Sequence, residues 1–109
     1  MNYRKEVLRN LNPAHVKNAE EVLTLGAMGL AGEAGECVDL VKKHLFHGVP
    51  LDRDKLLKEL GDVRWYFEVL CHAAGTDIEE VERLNVEKLR LRYPDGFTTE
   101  ASVKKADEA

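Results

Sequence analysis

Hydrophobic residues recur every three or four positions along most of the chain, a pattern typical of amphipathic helices. Together with the interrupting glycines and prolines, this pattern predicts four helices, over residues 3–11, 18–47, 54–74 and 77–93. No segment alternates between apolar and polar residues over any length, so we expect no sheet. The sequence therefore predicts an all-α fold, a helical bundle of about four helices.

Capping residues define the predicted helix ends. Asn18 and Glu21 are placed as an N-cap and its capping partner at the start of the second helix. Gly48 followed by Pro50 ends that helix, and Gly75 ends the third. We expect one domain over residues 1–97, and a mobile C-terminal tail over 98–109, where Val103 is the one large apolar residue.

The second and third helices carry apolar residues on more than one side. On each helix one stripe is assigned to the core. These stripes are Leu23, Ala27, Leu30, Ala34, Val41 and Leu45, and then Leu56, Leu60, Val63, Phe67 and Leu70. A second apolar strip on each helix, with Val22, Leu25 and Leu40 on one and Tyr66, Val69 and Ala73 on the other, would be left uncovered in a monomer. We therefore expect a homodimer or homotetramer in which helices from two chains flank each site.

Glycines recur at Gly26, Gly29, Gly32 and Gly35 inside the second helix. Each costs about 1 kcal/mol relative to alanine in a helix interior. No Gly-Lys-Ser/Thr sequence follows them and no strand precedes them, so they do not form a phosphate-binding loop. We interpret them as positions of close helix packing.

Composition and charge narrow the possible functions. The 109 residues carry a net charge of −4, which argues against coating a nucleic acid or a membrane surface. The sequence has no apolar stretch that resembles a signal peptide or a membrane span, so we expect a cytoplasmic protein. The two cysteines, Cys37 and Cys71, lack the paired spacing of a zinc site and are interpreted as buried free thiols.

Four acidic residues suggest the chemistry. Glu33 and Glu36 form an E-x-x-E pair on the second helix, and Glu59 and Asp62 form an E-x-x-D pair on the third. Residues three apart are neighbours on a helix surface, so two antiparallel helices would bring the four carboxylates together. Two like charges about 4 Å apart repel by about 4 kcal/mol at an effective dielectric of about 20. A divalent cation would relieve this repulsion, and oxygen ligands favour Mg²⁺ or Mn²⁺.

The fourth helix has polar residues where apolar ones are expected. Asn85, Lys88 and Arg92 lie on or beside the face that carries Ile78 and Val81. Polar groups that point inward need partners. Carboxylates, Mg²⁺ and phosphate would supply them.

Four segments resemble, in order and with compatible spacing, the MazG-like nucleotide pyrophosphohydrolases of the all-α NTP pyrophosphatase superfamily. The segments are 29–36 (GLAGEAGE), 42–43 (KK), 59–66 (ELGDVRWY), and 85–89 (NVEKL) with 92–94 (RYP). The resemblance covers about residues 25–97. One departure is Arg64, where relatives often carry an apolar residue; we expect it on the outer side of the helix, where it leaves the metal site intact.

The resemblance implies an active-site bundle completed by oligomerisation and Mg²⁺-dependent hydrolysis of nucleoside triphosphates to monophosphate and pyrophosphate. It assigns metal binding and catalysis to the four carboxylates. The family's lysine falls on Lys42 or Lys43, and the helical wheel favours Lys43. Asn85, Lys88 and Arg92 become candidates for contacts with sugar or phosphate. Trp65 could stack on a base, although packing explains it equally well, and it is not counted as a site residue.

Two alternatives stay open. A related all-α enzyme specific for dUTP, dCTP or phosphoribosyl-ATP would share the metal site and differ in its base pocket. A non-catalytic helical oligomerisation module would retain only the fold. All four motif carboxylates are present, which favours an enzyme.

Overall fold

The computed structural model describes residues 1–108, and this part of the chain is helical and contains no strand. The helices are α1 (Tyr3–Arg9), α2 (Ala19–His47), α3 (Arg53–Ala73), α4 (Ile78–Arg92) and α5 (Thr99–Lys104), with short 3₁₀ turns at Pro13–His15 and Ala106–Glu108. The predicted all-α fold class is confirmed. The chain divides into two compact units, one spanning Met1–Gly75 and one beginning at Thr76, and each is described by itself.

One of the two predicted hydrogen bonds of the cap at the start of α2 is present. The Asn18 side chain accepts a hydrogen bond from the Glu21 backbone N–H at 2.9 Å, as expected of an N-cap. The Glu21 carboxylate does not return the bond to Asn18; it accepts from the Lys17 backbone N–H at 2.8 Å. At the other end, Gly48 ends the helix with a φ of 67°, a left-handed conformation that glycine adopts without a Cβ clash.

The face of α2 that packs on α3 is not the predicted core stripe. A Cβ atom added to Gly26 would lie 3.0 Å from the Leu70 backbone nitrogen, so α3 approaches α2 along the glycine side. Leu23 and Leu45, assigned to the core from the sequence, are 41% and 65% exposed. That assignment is wrong because both faces of α2 are apolar, and periodicity alone does not show which face a neighbouring helix can approach.

Close packing, the predicted reason for the glycines, is confirmed at only two of the four positions. A Cβ atom on Gly29 would overlap the Tyr66 ring, whereas nothing lies within 4 Å of a Cβ on Gly32 or Gly35. The contact between α2 and α3 therefore depends on Gly26 and Gly29.

The most deeply buried apolar side chains of the first unit come from α1 and α3. Val7 of α1 and Val69 of α3 are 1% and 0% exposed, and Cys71 is also buried. The hydrophobic pattern predicts Val69 on the uncovered strip and Leu60 in the core, but Val69 is buried and Leu60 is 48% exposed. This assignment is wrong because Val69 lies three residues after Tyr66, on the face of α3 that packs against the glycine side of α2.

A buried carboxylate attaches α1 to α3. Glu68 is 4% exposed and accepts hydrogen bonds from Arg4 Nε at 2.6 Å and Arg64 Nη1 at 2.8 Å. The Arg64 guanidinium also lies over the Tyr3 ring, 4.6 Å from its centroid. Arg64 is thus half-buried beside α1 rather than on the outer side of the helix. Burial raises the pKa of Glu68, but the hydrogen bonds and charges of Arg64 and Arg4 outweigh burial, and the net pKa is lowered.

The second unit contains more secondary structure than the sequence predicts. Helix α5 and the turn Ala106–Glu108 occupy the segment expected to form a mobile tail. Thr98 caps α5 by accepting a hydrogen bond from the Ala101 backbone N–H at 3.0 Å. The hydrophobic pattern does not indicate this segment, whose contacts with α4 include ion pairs from Arg92 to Asp107 and Glu108.

Candidate metal centre

Three of the four predicted carboxylates meet between α2 and α3. Glu33 from α2 and Glu59 and Asp62 from α3 each place one carboxylate oxygen within 4.8 Å of the others. The three-residue spacing of Glu59 and Asp62 turns both side chains toward α2. The helix approach that exposes this face to Glu33 is the one that Gly26 and Gly29 allow.

The surroundings of Glu33 disfavour its charged form. Burial raises the pKa of Glu33 above its ordinary value. A hydrogen bond with Glu59 raises it further because that bond requires a proton, and the negative charges of Asp62, Glu59 and Glu36 act in the same direction. A cation placed among these groups would remove the penalty for the charged form. The donor set, carboxylate oxygens alone, fits a hard divalent ion such as Mg²⁺ or Mn²⁺.

Glu36 lies beside this cluster but is not one of the three carboxylates within 4.8 Å. Its side chain is exposed on α2. Its charge still acts on Glu33, where it helps to raise the pKa. Its role as a fourth metal ligand stays a prediction.

Two aromatic residues line a pocket beside the carboxylates. Glu33, Asp62, Trp65 and Tyr66 surround a volume of about 290 Å³. The rings of Trp65 and Tyr66 meet edge to face, with centroids 4.9 Å apart and an interplanar angle of 82°. Trp65 is not among the predicted site residues, although its position three residues after Asp62 places both on one face of α3.

The charges of the carboxylate cluster also act on Cys37. Neither cysteine forms a disulfide; Cys71 is buried as predicted, whereas Cys37 is half-buried. Burial raises the pKa of the Cys37 thiol, and the charges of Glu59, Glu33, Asp62 and Glu36 raise it further. The thiol is therefore held protonated and is a poor nucleophile.

Lys43 has a partner outside the cluster. Its Nζ lies 2.9 Å from Oδ2 of Asp39, one turn earlier on α2, and both side chains are partly exposed. The hydrogen bond and charge of Asp39 raise the pKa of Lys43, although burial lowers it, and Glu36 adds a smaller attraction. Lys43 therefore lies within the electrostatic field of Glu36 while its ammonium group bonds to Asp39.

The three predicted phosphate or sugar contacts of α4 belong to the second unit. Asn85 and Lys88 are exposed, which differs from the predicted inward orientation. Arg92 does have the partners that an inward polar group needs, but they are carboxylates of its own unit, with Nε 2.5 Å from Asp107 Oδ1. The pattern of α4 indicated that Arg92 requires partners and did not indicate which.

Comparisons with known proteins find a family match over most of the chain. The family model described as "MazG nucleotide pyrophosphohydrolase domain" matches residues 21–97, which include α3, α4 and all but the start of α2. The chain is similar to the "Gene 37 protein" of Mycobacterium phage L5, with 41% identity over 80 residues that cover 70% of each chain. No solved structure matches the chain. Among the described residues, no helix is both long and apolar enough to cross a bilayer.

Proposed function

This chain belongs to the MazG nucleotide pyrophosphohydrolase family, and from that starting point we propose that it hydrolyses (deoxy)nucleoside triphosphates to monophosphate and pyrophosphate with Mg²⁺. The observation that carries the proposal is the convergence of Glu33, Glu59 and Asp62 on one position between α2 and α3. A bound cation would account for three carboxylates at one place. A helical bundle with a purely structural role would not favour such a cluster. A role in removing unwanted nucleotides from the cellular pool is consistent with this activity.

In the proposed site, Glu33, Glu59 and Asp62 bind the divalent cation, and Glu36 completes the set of carboxylates. When bound, the ion would neutralise triphosphate charge and lower the pKa of a nearby water. A carboxylate oxygen that does not contact the ion can accept a hydrogen bond from the water that attacks the α-phosphorus. That bond orients the water and provides a base for its proton.

Trp65 and Tyr66 offer the substrate an apolar surface next to the carboxylates. An aromatic face can stack on a base or a sugar while the phosphates extend toward the cation. The ring of Tyr66 packs against Gly29, in the space that a side chain at position 29 would fill. This contact restricts the orientation of the ring. We therefore assign Trp65, the partner of Tyr66 in the pocket wall, to the substrate side of the site.

Lys43, Lys88 and Arg92 are the proposed partners of the phosphates, and Asn85 the proposed partner of the sugar. Positive charge stabilises the pyrophosphate that leaves in the reaction. The pairing of Lys43 with Asp39 is compatible with this role, because an exposed ion pair is weak and exchanges readily.

We further propose that the site is completed by a second copy of the chain, in a homodimer or homotetramer. Support comes from the outer face of α2, where Val38, Leu45 and Phe46 are 64%, 65% and 78% exposed. The same face forms an apolar groove of about 480 Å³. An apolar surface of this kind is unusual on a monomer. Sedimentation velocity at micromolar concentration tests this: an active species at the monomer mass of 12.3 kDa would contradict it.

A substrate panel tests the proposed activity. The protein is incubated with Mg²⁺ and each of the eight common NTPs and dNTPs, dUTP and phosphoribosyl-ATP, and pyrophosphate release is measured. Release from several nucleotides supports the proposal, and release from only dUTP, dCTP or phosphoribosyl-ATP identifies the specialised alternative. If no substrate yields pyrophosphate above the level of an Asp62→Asn control, the non-catalytic alternative is favoured.

A further inference from the structure

The proposed phosphate ligand Arg92 is occupied by carboxylates of its own chain. Its Nε lies 2.5 Å from Asp107 Oδ1, and its Nη2 lies 3.1 Å from Asp107 Oδ2 and 3.3 Å from Glu108 Oε1. The two side chains of the main pair are 16% and 6% exposed. This is a two-point contact between a guanidinium and a carboxylate, shielded from most solvent.

The geometry of this contact matches the chemistry of phosphate binding. A guanidinium binds a carboxylate and a phosphate through the same fork of N–H donors, so the two anions compete for it. Lys88 lies close enough for its charge to help lower the pKa of Asp107, after the larger effect of the hydrogen bond from Arg92. Asp107 is thus an anion held in the field of two of the proposed phosphate-binding residues.

The carboxylates come from outside the family domain. The family match ends at residue 97, and Asp107 lies beyond it in the turn Ala106–Glu108. Lys105 turns the backbone toward α4 with a φ of 50°, the one positive φ at a non-glycine residue in residues 1–108. Lys105 is the left-handed C-cap of α5, a conformation that is uncommon for a residue other than glycine and carries a local cost.

We propose that Asp107, assisted by Glu108, is an internal competitor that occupies Arg92 in the free protein and is displaced by the phosphates of the substrate. The inference rests on the proposed role of Arg92 in phosphate binding. A ligand that must displace such a contact binds more weakly, by the fraction of molecules in which the arginine is free. Asp107 therefore sets the apparent affinity for triphosphate without contacting the reacting atoms.

Kinetics of carboxylate variants test this role. The double variant Asp107→Asn with Glu108→Gln should lower KM for the best triphosphate by about three- to tenfold, with kcat unchanged. Glu100→Gln is the matched control, because it removes an exposed carboxylate from α5 in the same segment, and its KM should equal that of the wild type. A gain in affinity is informative because loss of a purely structural ion pair would leave KM unchanged or raise it. Either of those results would overturn the proposal.

A binding measurement separates this inference from the proposed activity. Inorganic tripolyphosphate is titrated by calorimetry into the wild type, the double variant and the same variant carrying Arg92→Gln. We expect tighter binding to the double variant than to the wild type, and loss of that gain when Arg92 is also replaced. That result in a protein that releases no pyrophosphate would contradict the proposed activity and still support the competition. Equal affinity in the wild type and double variant would overturn the competition even if the enzyme is active.

Discussion

A Cβ atom built on Gly29 of α2 would lie 2.1 Å from Cδ1 of Tyr66 on α3. The ring of Tyr66 therefore occupies the space that any other residue at position 29 would fill. Because Tyr66 also lines the pocket with Glu33 and Asp62, the glycine links the packing of the two helices to the geometry of the site.

This relationship predicts opposite effects for two glycine substitutions. Gly29→Ala should displace Tyr66 and lower the free energy of unfolding by about 1–3 kcal/mol, as expected of overpacking. Gly32→Ala is the control; nothing lies within 4 Å of its Cβ, so higher helix propensity should stabilise the protein by up to about 1 kcal/mol. Urea denaturation of both variants measures the difference. Equal stability of the two would show that the ring does not pack on Gly29.

Trp65 provides a direct report on metal binding. It is the one tryptophan in the chain and shares a pocket with Glu33 and Asp62. Titration with Mn²⁺, a paramagnetic quencher, should lower its fluorescence to a saturating level, and excess Mg²⁺ should restore it. Glu59→Gln removes one of the three clustered carboxylates and should weaken the transition by at least about tenfold.

The control for this titration is Glu6→Gln, which removes an exposed carboxylate from α1. Its transition should match that of the wild type. If Glu6→Gln and Glu59→Gln weaken quenching equally, Mn²⁺ binds through general surface charge and not in the cluster.

The raised pKa of Glu33 predicts a pH effect on the metal-free protein. A carboxyl group whose pKa is higher in the folded state contributes stability at low pH, which is lost as pH rises from its ordinary value of 4.5 through the raised value. In EDTA, the wild type should therefore lose stability relative to Glu33→Gln over this range. Thermal melts at several pH values measure the difference in stability between the two proteins. A difference that is independent of pH would show that charging Glu33 does not destabilise the metal-free protein.

Glu68 predicts the opposite dependence. Its pKa is lowered in the folded state, so its stabilisation is present above its ordinary value of 4.5 and is lost as pH falls toward the lowered value. Glu68→Gln should cost about 1–3 kcal/mol at pH 7 because Arg4 and Arg64 lose a buried charged partner. Denaturation at neutral and acidic pH should show this cost shrinking at low pH. A cost that stays constant would assign the effect to packing alone.

The fold class and the position of the carboxylates could be predicted from sequence because both depend on local spacing. Helical period, capping residues and the E-x-x-E and E-x-x-D pairs are each defined within a few residues. The alignment of Glu33 with Glu59 and Asp62 needed one further condition, a close approach of α2 and α3, and the glycines of α2 indicate it.

Contacts between distant segments were not predictable in the same way. Helix α2 has two apolar faces, and the sequence assigns the face with Leu23 and Leu45 to the core. Only the packed structure shows that α3 covers the other face. Glu68 looks like an ordinary surface charge in the sequence, and the pattern of α4 shows that Arg92 needs a partner without showing which. Their partners, Arg4 and Asp107, lie 64 and 15 residues away along the chain, where no periodic pattern connects them.

The position of water attack tests the central proposal most directly. The best triphosphate is hydrolysed in H₂¹⁸O with Mg²⁺, and the products are separated by ion-exchange chromatography and analysed by mass spectrometry, with Asp62→Asn as the inactive control. We predict nucleoside monophosphate carrying one ¹⁸O atom and unlabelled pyrophosphate, because water attacks the α-phosphorus. Nucleoside diphosphate with labelled orthophosphate, labelled pyrophosphate, or full activity of Asp62→Asn would contradict the account.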